Sequence, residues 1–228
     1  MSTLIKTQGS NISISGKTIF SNPPVIDLLA GLQAFYKLSD TSDSSGNNNT
    51  LTANGDVQFA SGKIGDAALF DGSSSLERAP FNLGQNFSVS FWANPTDILD
   101  YSYFAVQHTG LAIYTKSNGA LECGDNATWN FTTASGIVES GVWKHYCLSV
   151  SNGVGSLYVN NALEANSAGS PPLDLADTGD LPFGISGTSQ TGGRAGVKQI
   201  DAVGIWNRAL SEGEVAALYN SGNGLELN

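Results

Sequence analysis

Two carboxylates held about 5 to 9 Å apart can cleave a glycosidic bond, and acidic residues alternating along one strand are a natural way to deliver them. Asp and Glu fill 20 of the 228 positions, yet no strand-like segment carries such a pair. Glu122 and Asp125 straddle Gly124 and a turn. Glu212 and Glu214 stand at a helix start, where capping accounts for them without chemistry. His108 and His145 have no nucleophile at a recognisable spacing and read as hydrogen-bonded strand residues. No catalytic residue is assigned, and a glycoside hydrolase is the remote reading.

Sugar binding asks for exposed aromatic rings beside amides and carboxylates. Trp129, within Asp125-Asn-Ala-Thr-Trp-Asn-Phe131, offers that mixture on an expected loop, and so do Tyr101 and Tyr103. The competing reading is that these rings cover the edges of a core. Cys123 and Cys147 fit one bridge or two small buried residues equally well. Five Asn-x-Ser/Thr sequons, at Asn11, Asn48, Asn86, Asn126 and Asn130, reflect loops rich in those residues. A net charge of −10 repels phosphate backbones and anionic lipid, so nucleic acid is excluded as a partner and divalent cations are the natural counter-ions. No run approaches the roughly 18 to 20 apolar residues of a membrane span, and the opening Met1-Ser-Thr-Leu-Ile-Lys6 lacks a signal peptide's apolar core. Neither membrane insertion nor Sec export is expected.

The elements that must position these residues read as strands. Only 13% of residues are charged and 27 are glycine, a composition of short strands and tight turns. Residues 1–30 form an N-terminal arm and linker: Leu4, Ile12, Ile14 and Ile19 alternate with polar residues before Pro23-Pro24 stiffens an extended connector. From Gly31 the texture changes, with Leu32, Ala34, Tyr36 and Leu38 on one strand face. Asp40 to Asn49 is a loop of Asp, Ser, Gly and Asn. Strands follow at Ala67 to Phe70, Phe87 to Ala93, Leu111 to Thr115, Ala120 to Cys123, Val142 to Val150 and Ser156 to Val159. Phe87, Val89, Phe91 and Ala93 alternate with Ser88 and Ser90, so one face is buried and the other polar or lightly covered. Asn160-Asn161 suits a tight hairpin turn. Ser211-Glu-Gly-Glu214 is a capping box for a helix of about two turns, and Leu225 with Leu227 reads as a closing edge strand.

The order of motifs resembles the laminin-G-like, concanavalin A-like lectin/glucanase jelly roll of the pentraxin-related branch. Gly31-Leu-Gln-Ala-Phe-Tyr36, Asp43-Ser-Ser-Gly-Asn47 and Gly65-Asp-Ala-Ala-Leu-Phe-Asp-Gly72 are similar to its opening strand, loop and hairpin. Phe87 to Pro95 and Trp143 to Val150 are similar to two central strands. Ile200-Asp-Ala-Val-Gly-Ile-Trp-Asn-Arg-Ala-Leu-Ser211 with Glu214 is similar to its last strand and helix, almost position by position. The resemblance implies one all-β, two-sheet antiparallel sandwich over residues 31–228, with a single short C-terminal helix. It implies a structural calcium ion, with Asp43, Gly46, Asn48 and Asp201 as ligands. Family members often carry a second acid beside Asp201, where this chain has Ala202. Cys147 takes the place of a pentraxin disulfide cysteine whose partner position is Ser90 here, so that bridge is absent.

The arm has no counterpart in the family. A free lectin needs no extra apolar segment, whereas a subunit that must attach to others does. The expected function is a non-enzymatic virion component, capsid decoration or tail, assembled in the host cytoplasm. The arm would hold other virion subunits or a second copy, and the sandwich would bind cell-surface polysaccharide. A free carbohydrate-binding lectin is the alternative.

Overall fold

The structure, a computed structural model, describes residues 11–14, 17–20, 26–100, 102–107, 111–124, 129–169, 171–175, 182–188 and 196–227. Within the expected arm, β1 (Asn11–Ile14) and β2 (Lys17–Phe20) form a two-stranded antiparallel sheet of their own, with Ile12 opposite Ile19. Leu4 lies outside the described residues.

The sandwich opens with β3 (Leu32–Tyr36), β4 (Thr52–Asn54), β5 (Gln58–Ser61), β6 (Asp66–Asp71) and β7 (Ser75–Arg78). It continues through β8 (Phe87–Pro95), β9 (Ser102–Gln107), β10 (Leu111–Thr115), β11 (Leu121–Gly124) and β12 (Trp129–Thr132). Last come β13 (Lys144–Ser151), β14 (Val154–Val159), β15 (Ala162–Asn166), β16 (Phe183–Ile185), β17 (Val197–Trp206) and the helix α1 (Glu212–Tyr219). One sheet runs β12-β11-β10-β9-β16-β7-β4 and the other β15-β14-β13-β8-β17-β6-β5, all antiparallel, as the sequence predicts. Turn chemistry sets the registers. Asn152 with Gly153, and Asn160 with Asn161, all take positive φ and close the β13–β14 and β14–β15 hairpins.

β17 pairs with β8 along one side. On the other it pairs first with β6, through Val197 to Ile200, and then with β3, through Val203 to Trp206. The change falls at a bulge where Ala202 has φ 49°. The chain entering β3 is fastened to the end of β17: Trp206 Nε1 donates to the Leu28 carbonyl at 2.8 Å and Arg208 to those of Ala30 and Asp27 at 2.6 and 2.7 Å.

Between the sheets lies the main core, in which Phe91, Phe104 and Tyr146 sit with ring centroids 5.4 Å apart and join the two sheets. A second apolar cluster covers the far side of the eight-stranded sheet, where Phe35, Trp92, Cys147 and Trp206 meet Val215 and Leu218 of α1 and Leu227. Two expectations change here. Ser88 and Ser90 are buried, not lightly covered: Ser88 Oγ donates to the Arg208 carbonyl and accepts from Leu210 N, each at 2.9 Å. Leu225 and Leu227 form no strand, because Leu227 packs sideways into the second cluster.

Candidate functional site

The far side of the seven-stranded sheet carries the polar side chains. Ile113, Leu121 and Cys123 point into the core, so Tyr114 and Glu122, alternating with them, face away. Register lines up Tyr103, Tyr114, Glu122 and Thr132 across four strands. Tyr114 hydroxyl donates to Glu122 Oε2, Thr132 Oγ1 donates to Oε1 at 3.3 Å, and Lys116 Nζ lies 3.5 Å from Oε2. One step along, Gly184, Val106, Ala112, Gly124 and Trp129 form a parallel row. Trp129 thus begins a strand instead of sitting on the expected loop; Tyr101 lies outside the described residues.

Among the described strand residues of this face, Glu77, next to Gly184 in that second row, is the other acid. Four strand spacings separate β7 from β11, about 19 Å at 4.8 Å each, far beyond the reach of a two-carboxylate mechanism. Asp125 lies outside the described residues. Glu212 and Glu214 behave as the capping box predicts. Ser211 Oγ accepts from Glu214 N, Ser211 N donates to Glu214 Oε2 at 2.8 Å, and Arg208 donates to both Glu214 oxygens at 3.0 and 2.6 Å.

A serine and a histidine do meet, which the sequence spacing did not reveal: Ser90 Oγ lies 2.8 Å from His145 Nε2. They occupy diagonal positions on β8 and β13, with His145 opposite Trp92 and Ser90 opposite Cys147. Both are sealed beneath α1, where the His145 ring contacts Trp92 and Tyr219. Burial pushes the His145 pKa down to about 3, so the imidazole is neutral. The pair has no access for a substrate. His108 lies outside the described residues. Cys123 and Cys147 are both buried and free.

The expected calcium ligands belong to two separate networks. Asp43 Oδ1 accepts from Phe35 N at 3.0 Å and Ser45 N at 2.8 Å, while Oδ2 accepts from Asn49 N and Ser45 Oγ, both at 2.9 Å. Burial opposes its ionisation, but these donors together hold its carboxyl below the usual range. Gly46 and Asn48 take positive φ to curl the loop, and Asn47 and Asn49 amides donate to the Leu32 and Gln33 carbonyls. Asp201 is fully buried; its Oδ2 accepts from Lys63 N at 2.9 Å and Ile64 N at 2.8 Å. Its Oδ1 has no partner among the described residues, and burial, reinforced by Glu226, raises its pKa to about 7. With four donors filling Asp43, the residues as folded do not form a clamp for an ion shared with Asp201. Among the described residues no three His, Cys, Asp or Glu side chains gather to hold a metal.

The sequence matches, over residues 70–216, the laminin-G family described as the concanavalin A-like lectin/glucanases superfamily. No curated protein matches it. Solved structures share the fold at low identity. Domain 4 of AbnA, an extracellular arabinanase of Geobacillus stearothermophilus in complex with arabinotriose, is 22% identical with a TM-score of 0.67, covering 85% of this chain and 98% of that one. The binding domain of Paraclostridial Mosquitocidal Protein 1 is 19% identical with a TM-score of 0.69, covering 86% and 53%. The botulinum neurotoxin serotype D binding domain is 15% identical with a TM-score of 0.63, covering 84% and 52%. The chain therefore spans about half of each toxin binding domain.

Proposed function

Because the chain belongs to the concanavalin A-like lectin/glucanase superfamily, we propose that it is a non-catalytic module that binds glycan on the outer face of its seven-stranded sheet and is fixed to a larger assembly by its N-terminal segment. The register around Glu122 supports this most directly. It brings Tyr103 and Trp129, two of the three aromatics suited to sugar stacking, onto strands flanking the Tyr114–Glu122–Thr132 unit. A carboxylate with both oxygens engaged is a fixed acceptor for sugar hydroxyls, not a mobile acid. The arabinotriose held by the AbnA domain makes an arabino-oligosaccharide the first ligand to try.

The assembly we favour is a virion, as capsid decoration or a tail component, with cell-surface polysaccharide as the glycan; a free lectin is the alternative. A structural calcium ion at Asp43, Gly46, Asn48 and Asp201 belongs to this reading only with Asp43 exchanging its present donors for the ion. The test is a glycan array followed by calorimetric titration, starting with arabinotriose. Glu122→Gln and Trp129→Ala should each weaken binding roughly tenfold or more while leaving the fold intact. An array without a single bound glycan would sink the proposal.

A further inference from the structure

β15 ends the eight-stranded sheet, with β14 on one side and, among the described residues, no strand on the other. An open edge invites pairing unless lysine, proline or a covering loop blunts it. β15, Ala162-Leu-Glu-Ala-Asn166, has neither lysine nor proline, and Leu163 is 48% exposed. A cleft of about 330 Å³ opens beside it, lined by Tyr158, Asn161, Leu163, Glu212 and Gly213. The root of the N-terminal segment emerges at the same place: exposed Ile26 comes within 3.3 Å of where a Cβ on Gly213 would stand.

Among the described residues, the β1–β2 hairpin pairs with no other strand. Two strands alone are marginal in water and call for a third or for an apolar surface. Register puts Ile12 and Ile19 directly opposite, with Ile14 two positions along on the same face. Charge adds a direction. Residues 1–26 hold Lys6 and Lys17 and no acid, a net +2; the other 8 basic and 20 acidic residues give the remainder −12. At the edge itself stand Glu164 and, across the cleft, Glu212.

We propose that the β1–β2 hairpin of one chain adds to the β15 edge of a second copy, and that the exchange is reciprocal. Arm root and open edge are neighbours on each chain, so one two-fold axis beside α1 satisfies both at once and closes the exchange at two copies. The residues between Phe20 and Asp27 reach at most about 20 Å, enough to cross to an adjoining molecule. This rests on the reading of the N-terminal segment as an attachment device, and it names the partner.

Sedimentation of the full chain across a concentration series is the test, with glycan titration run on the same samples. The wild type should sediment as a dimer of the 23.7 kDa chain. Leu163→Lys, which sets a like charge against the arm on an exposed position, should raise the dimer dissociation constant roughly tenfold or more. Ile12→Lys with Ile19→Lys should do the same from the other side. Oxidising a mixture of Thr18→Cys chains and Glu164→Cys chains should crosslink one kind to the other. A full chain that stays monomeric, or a dimer that Leu163→Lys leaves untouched, overturns the inference. Glycan affinity retained by a monomeric variant confines that failure to the partner and spares the binding reading.

Discussion

The two sheets turn very different faces away from their common core. The eight-stranded sheet is roofed by residues 208–210, α1 and the chain beyond it, which bury Trp92, Trp206 and Phe35; Ser88 and Ser149 donate to the Arg208 and Leu210 carbonyls, and Ser90 meets His145 of the sheet itself. The seven-stranded sheet carries instead a row of interlocked polar groups centred on Glu122. One face buries apolar side chains against α1; the other carries a polar unit in which Tyr114 is fully buried and Glu122 keeps partial exposure. Substitutions should therefore separate stability from binding according to the face they touch.

Trp206→Ala should produce the largest effect. It opens a cavity in the roofed face and removes the indole hydrogen bond to Leu28, costing about 3–5 kcal/mol in urea denaturation. A loss below about 1 kcal/mol would mean that the roof is not structural.

Next comes a pair of opposed pH dependences on that same face. Asp201 has its folded pKa raised to about 7 from 3.8, so the folded state holds the extra proton and stability falls as pH rises through this window. His145 has its folded pKa lowered to about 3 from 6.5, so the unfolded state holds the extra proton and stability falls as pH drops. Between pH 4 and 6.5 the two slopes oppose, each up to about 1.4 kcal/mol per pH unit. Asp201→Asn should leave the fall towards acid, and His145→Asn the fall towards alkali. Denaturation across that range checks the signs; identical profiles for both variants would refute the assignment.

Ser211→Ala should cost about 1 kcal/mol by removing the cap of α1, whereas Glu122→Gln, on the seven-stranded sheet, should cost less than that in stability while weakening glycan binding. Equal losses from the two would erase the contrast between the faces. Smallest is the response to calcium. With Asp43 already accepting four hydrogen bonds, chelation should move the melting temperature by no more than about 1 °C. A rise of several degrees on adding calcium would show that the loop rearranges around the ion.

The alternation of Phe87 to Ala93, the capping box at Ser211 and the Asn160-Asn161 turn were legible because each is a local pattern with one physical solution. β4, β5 and β16 were not, being three or four residues long, with β4 and β5 largely exposed and so without apolar alternation. The handover of β17 from β6 to β3 turns on a left-handed Ala202, a conformation alanine does not advertise. For the site, Trp129 and Tyr103 could be named by type, but the Tyr114–Glu122–Thr132 unit exists only once three strands are in register. Alternation on either side of the Lys116 to Ala120 turn was the available hint, since it places Tyr114 and Glu122 on one face.

The fastening of Asp27, Leu28 and Ala30 to Trp206 and Arg208 has a mechanical side. A pull on the N-terminal segment reaches these three contacts first and passes directly into β3 and the central strand. Load directed along those strands is then shared by several backbone pairs in shear instead of being met one bond at a time. The outer face of the seven-stranded sheet stays outside the line of tension.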